Sequence, residues 1–115
     1  MRDLKVEFEC HVTMKMKTGT ADQALDQVVW GQIAKNARWK TSHIVGDPLL
    51  GKDGFFYFTT HSNDYKDIFS RMGELCKLLE INRFSPCRKK IEQIVYDTKR
   101  SLFDGPATLE WLGER

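Results

Sequence analysis

The chain is poor in residues that staple or punctuate a fold. It has three cysteines, Cys10, Cys76 and Cys87, and no C-x-x-C pair. An odd, scattered set excludes a disulfide framework or a zinc ribbon and points to reduced thiols. The three prolines, Pro48, Pro86 and Pro106, cannot donate into a hydrogen-bond ladder, so each is read as a boundary. No run approaches the ~18 apolar residues of a membrane helix. Met1 to Glu7 holds no apolar stretch of the signal-peptide kind, so the expected compartment is the cytoplasm. Charge of one sign is also missing. Lys and Arg number 18 against 16 Asp and Glu, a net +2, so an acidic partner would have to be attracted by a local patch. There is no G-x-x-x-x-G-K-[ST], no G-x-G-x-x-G, no G-x-S-x-G and no repeat. No spacing supports a metal site, including His43 and His61 taken with Glu7 and Glu9. Neither a cofactor nor a membrane partner is expected, and the balance leans away from an enzyme.

What is present is an ordinary globular composition, 41% hydrophobic and 30% charged over 115 residues. That length buries a sizeable core without staples. Residues 4–16 alternate: Leu4, Val6, Phe8, Cys10, Val12, Met14 and Met16 point one way, Glu7, Glu9, His11, Thr13 and Lys15 the other. This is a half-buried strand. Thr20 and Gln23 form a capping box for a helix ending near Ala37, with Ala21, Ala24, Leu25, Val28, Val29 and Ile33 as its apolar stripe. Strands are read from Trp39 to Val45 and from Phe55 to Thr60, joined by a long connection from Gly46 to Gly54. Ser62, Asn63 and Asp64 offer N-caps to a second helix with a stripe of Ile68, Met72, Leu75 and Leu79, widened by Phe69, Cys76 and Leu78. Asn82 is placed at its left-handed C′ position. Cys87 to Thr98 is a fourth strand with a bulge near Glu92–Gln93.

The order βαββαβ is that of a ferredoxin-like α+β sandwich. It implies a four-stranded antiparallel sheet ordered 4-1-3-2, with both helices on one face. Residues 1–98 form this domain. Residues 99–115 are a tail with a short helix over 107–112, opened by Pro106. Leu102, Phe103, Trp111 and Leu112 require the tail to pack in cis or on a partner subunit.

Three constellations share the helix-free face or its edge. His11-Val12-Thr13-Met14 resembles half of the His-x-Thr/Ser signature of two-histidine phosphoesterases, whose histidines lie on facing strands. Thr59-Thr60-His61-Ser62 holds the same residue types in a different order. That resemblance makes His11, Thr13 and His61 the catalytic candidates. Lys52 to Phe58 resembles the third strand of RNA-recognition folds, with Phe55 and Tyr57 as outward stacking aromatics. Phe56 stands where that pattern has a small residue, and Glu7 and Glu9 replace its first-strand aromatic. Finally, Arg83, Arg88, Lys89 and Lys90 should meet Lys15 and Lys17 at one sheet edge. Arginine there offers a fork to phosphate or carboxylate, although edge lysines also discourage aggregation. The expected ligand residues are therefore Lys15, Lys17, Arg83, Arg88, Lys90, Phe55 and Tyr57. The leading expectation is a module that binds an anionic small molecule, a nucleic acid or an acidic protein surface, in a homo-oligomer. A phosphoesterase and a purely structural protein are the alternatives.

Overall fold

The computed structural model describes residues 4–16, 21–97 and 102–112. Alternation makes Leu4–Met16 a strand, β1. It is followed by α1 (Ala21–Ala37), β2 (Lys40–Ile44), a short 3-10 turn (Pro48–Leu50), β3 (Gly54–Ser62), α2 (Tyr65–Ile81), β4 (Arg88–Asp97) and β5 (Leu102–Leu112). The five strands form an antiparallel sheet ordered β2-β3-β1-β4-β5. Its first four strands are the expected order read from the opposite edge, so the α+β class and the central β1–β3 pair stand.

The core lies between the sheet and the helices. Cys10, Val12, Met14 and Met16 from β1, Phe56 and Phe58 from β3, and Ile91 from β4 are all buried, and so is the α2 stripe of Ile68, Met72, Leu75 and Leu79. Aromatic rings join the layers. Trp30 of α1 packs edge-on against Phe84 at 5.4 Å and tilted against Phe56 at 5.3 Å, and Phe56 meets Phe58 at 5.2 Å. Such pairs add stabilisation of about 1 kcal/mol beyond area burial.

Both helix ends follow one pattern. In α2 the Phe84 N–H donates to Leu79 O (2.8 Å) and the Arg83 N–H to Glu80 O (2.9 Å). This is a Schellman closure with Arg83 left-handed at φ 66°. In α1 the Trp39 N–H donates to Ala34 O (2.8 Å), with Arg38 left-handed at φ 62°. Each closure turns an aromatic, Phe84 or Trp39, back onto the core. At its other end α2 is capped by Asp64, whose carboxylate accepts from the Lys66 N–H at 2.9 Å.

Four expectations are corrected. The tail segment 107–112 is not a helix; it lies within β5, paired with β4. A six-residue helix is marginal alone, whereas the open edge of β4 offers a full ladder. Pro106 is accommodated because β5 is the outermost strand. The β4 irregularity lies between Ile94 and Tyr96 against β5, while the β1–β4 register runs unbroken. The left-handed residue after α2 is Arg83 and not Asn82, whose φ is −89°. The buried face of α1 is Trp30 and Ala34, with Ile33 and Ala37 beside them; Leu25 and Val28 are 67% and 70% exposed. The capping-box residue Thr20 lies outside the described residues.

Candidate anion cleft on the helix-free face

The same alternation that buries one face of β1 presents Glu9, His11, Thr13 and Lys15 on the other. Pairing sets these residues in rows across the sheet. Thr13 lies opposite Tyr57 on β3 and Arg88 on β4; His11 opposite Thr59 and Lys90; Glu9 opposite His61 and Glu92. Ser42 of β2 extends the first row, opposite Tyr57. A cleft of about 300 Å³ opens on this face, lined by His11, Thr13, Ser42, Tyr57, Thr59, Arg88 and Lys90.

The lining is polar and linked. His11 places Nδ1 3.1 Å from Thr59 Oγ1 and Nε2 3.1 Å from Glu9 Oε1. Neutral imidazole carries one N–H, so a proton on Nε2 satisfies Glu9 and leaves Nδ1 to accept from the Thr59 hydroxyl. His61 Nε2 stands 3.5 Å from the same Glu9 oxygen. The Lys90 ammonium contacts the Glu92 carboxylate. Thr13 is 6% exposed, at the cleft floor. Tyr57 and Phe55 stand on the same face with ring centroids 6.4 Å apart and planes at 33°.

Cations and hydroxyls therefore share the cleft, and the carboxylates occupy the next row. An anion entering it meets a guanidinium fork, an ammonium and hydroxyl donors beside an aromatic face.

The structure brings together His11, Thr13, Tyr57, Arg88 and Lys90 among the residues expected from sequence. Phe55 lies one row along. Lys15, opposite Phe55, is ion-paired with Asp53 at 3.3 Å. Arg83 closes α2 in the α2–β4 connection and is not among the cleft residues. Lys89 pairs in register with buried Val12, which places it on the helix side. Lys17 lies outside the described residues. His61 is linked to His11 through their common partner Glu9. Sequence reasoning passed over Thr59, Ser42, Glu9 and Glu92 as site residues. The outward alternation Glu7-Glu9-His11-Thr13, combined with the strand order, was the signal for Glu9; Glu92 needed the β1–β4 register.

Two thiols on the helix side, buried Cys10 and half-buried Cys76, are raised by burial. Burial, and secondarily the neighbouring Cys76, push the Cys10 thiol up to about 12. Burial also raises Cys76, partly countered by Lys89.

No helix among the described residues is long and apolar enough to cross a membrane. No protein-family model and no curated protein matches the chain. Two solved structures do. A phage SAM lyase in complex with S-methyl-5′-thioadenosine aligns over 90% of this chain and 88% of its own, at TM-score 0.38 and 9% identity. A phage SAM lyase in its apo state aligns over 92% and 89%, at TM-score 0.33 and 10% identity. At those values the likenesses carry no argument about the site, and what the geometry establishes is a small α+β domain with a polar cleft on its open sheet face.

Proposed function

We propose that the chain is a binding module for an anionic ligand, and that the ligand is a nucleotide held in the helix-free cleft. The observation that carries this reading is the convergence of Arg88, Lys90, His11, Thr13 and Thr59 on one concavity whose wall includes Tyr57. Arg88 and Lys90 would take the phosphate, the hydroxyls would complete its shell, and Tyr57 with Phe55 would offer the base a stacking surface. The exposed Leu25 and Val28 on the outer face of α1 support a homo-oligomeric assembly.

The test is equilibrium binding of nucleotide mono-, di- and triphosphates and short RNAs across a salt series. Charge-assisted bonds are worth about 1.5–3 kcal/mol each, so Arg88→Ala should weaken nucleotide binding about tenfold or more. Affinity should fall as salt rises. No saturable binding by any member of the panel, or an Arg88→Ala variant that binds like the parent, refutes the reading.

One observation favours a second reading, a phosphoesterase. Glu9, His11 and Thr59 form a carboxylate–imidazole–hydroxyl array, which is how a general base is oriented toward a proton it removes. Cleavage of a generic phosphodiester, abolished by His11→Ala with nucleotide binding retained, would establish it in place of simple binding.

A further inference from the structure

We infer that Glu9, His11 and Glu92, with His61 alongside, form a binding site for a divalent transition metal of the zinc class at the end of the cleft. This goes beyond the anion reading and does not rest on it.

The placement comes first. Glu92, Glu9 and His61 lie directly opposite one another across β4, β1 and β3, and His11 is one step along the same face of β1. Two neighbouring strands thus send three donors to one spot, with His61 of β3 beside Glu9, each from a backbone position fixed by the ladder. The ligand atoms of Glu9, His11 and Glu92 all fall within 4.8 Å of one another. The Glu9 oxygen is 3.1 Å from the His11 Nε2 and 3.5 Å from the His61 Nε2. With metal–ligand bonds of ~2.0–2.1 Å, the donors of a tetrahedral site stand ~3.3–3.4 Å apart. The two observed separations bracket that edge length, and the Glu92 ligand atom lies within 4.8 Å of those of Glu9 and His11.

Electrostatics points the same way. Carboxylates directly opposite on neighbouring strands repel. Here the Glu9 and Glu92 side chains are only 21% and 22% exposed, so water screens them poorly. The Lys90 ammonium answers Glu92, and the two imidazoles surround Glu9. A dication between the carboxylates would neutralise both and release Lys90 toward the cleft.

The donor set selects the class of ion. An imidazole nitrogen with two carboxylates, and a second imidazole beside them, suits zinc and its first-row neighbours, whereas calcium and magnesium favour all-oxygen shells. Support behind the ligands is also in place. With Nε2 on the metal, the His11 proton moves to Nδ1, which already faces Thr59 Oγ1 at 3.1 Å. A hydrogen bond from the far ring nitrogen is the usual way a metal-bound histidine is held.

The experiment is a titration of the metal-free full chain with Co²⁺ alone, followed in the visible region. Binding at this site is expected to give the intense d–d bands of a four-coordinate nitrogen–oxygen complex, saturating at one equivalent per chain and bleached by Zn²⁺. Glu9→Gln, His11→Asn and Glu92→Gln should each weaken Co²⁺ at least tenfold, with circular dichroism checking that each is folded. His43→Asn, on the opposite face of β2, should leave it unchanged. Absence of the bands at one equivalent overturns the inference. So does a complex that survives in folded Glu9→Gln and Glu92→Gln, or one lost in His43→Asn. If His11→Asn fails to fold, the two carboxylate variants decide alone.

Discussion

Replacing Gly54 with alanine tests the close approach that anchors the β2–β3 edge of the sheet and, with it, the Ser42–Tyr57 wall of the cleft. Gly54 opens β3 and is buried. A Cβ there would stand 2.6 Å from Ile44 O, 2.8 Å from Gly46 N and 3.0 Å from Met16 Cε. The first two are backbone atoms and cannot swing aside; the third is the flexible end of a side chain. Admitting the methyl therefore requires the end of β2 to move, against the Ile44–Phe55 pairing. Overpacking of this kind costs ~1–3 kcal/mol, and the reduced entropy of the unfolded alanine chain returns ~0.4–1 kcal/mol. The net is a destabilisation of about 1–2 kcal/mol, which for a domain of this size lowers the Tm by roughly 4–8 °C. Gly73 is the internal control. It is exposed in the middle of α2, and a methyl group there would meet nothing within 4 Å. Alanine at that position should raise the Tm by a few degrees through helix propensity of about 1 kcal/mol. Thermal melts at one protein concentration, followed by circular dichroism, give both numbers. If Gly54→Ala melts at or above the parent, or both substitutions shift the Tm in the same direction, the close-approach argument fails.

Two further outcomes follow from the helix ends and the core. Arg38 and Arg83 hold left-handed backbone that costs a non-glycine residue about 1 kcal/mol, so Arg83→Gly should raise the denaturation midpoint without changing the m-value; a lower midpoint would mean that the arginine side chain contributes more than its backbone costs. At pH 8 the Cys10 thiol, raised from 9.0 to about 12, should have a thiolate fraction roughly a thousandfold below that of a free cysteine, so a thiol reagent should modify Cys10 no faster than the chain unfolds, and rapid labelling identified at Cys10 by peptide mapping would contradict its burial.

The elements that were legible from sequence are those whose pattern admits one solution. In β1 every second residue is apolar, and a one-residue slip would have buried Glu7, Glu9 and His11 together. In α2 the stripe Ile68, Met72, Leu75 and Leu79 has a charged or polar opposite face. α1 was ambiguous because it is apolar on two sides. Leu25, Val28 and Val29 belong to one stripe, Trp30, Ile33, Ala34 and Ala37 to another. Periodicity alone favours the more aliphatic set. The structure takes the other, because Trp30 fits between Phe56 and Phe84, contacts that no local window contains. The 107–112 segment was misread for a related reason. Proline after glycine opens a helix in isolation, but the free edge of β4 is a tertiary fact. Arg38 and Arg83 could not be read as left-handed from residue type, since glycine or asparagine is the usual signal there.

The cleft was half legible, and the missing half follows from register. Alternation places His11 and Thr13 outward, and strand order sets Arg88 and Lys90 near them. What alternation cannot give is which residue stands opposite which. Had β4 slipped by two residues against β1, Lys90 would lie opposite Glu9 and the charges would cancel across the strands. The observed register instead aligns Arg88 with Thr13, Lys90 with His11 and Glu92 with Glu9. Cross-strand pairing of opposite charges is worth a few tenths of a kcal/mol to about 1 kcal/mol per pair, so this register forgoes stabilisation that a small shift would have supplied. In the observed register Ile91 sits opposite Cys10 and both are buried in the core. The result is a sheet face whose charges are sorted along the strand direction, cations toward Thr13 and carboxylates toward His61. Sorted charge of this kind is a field gradient across the cleft. On the two proposals above, an anion would be drawn to one end and a cation to the other, with His11 between them.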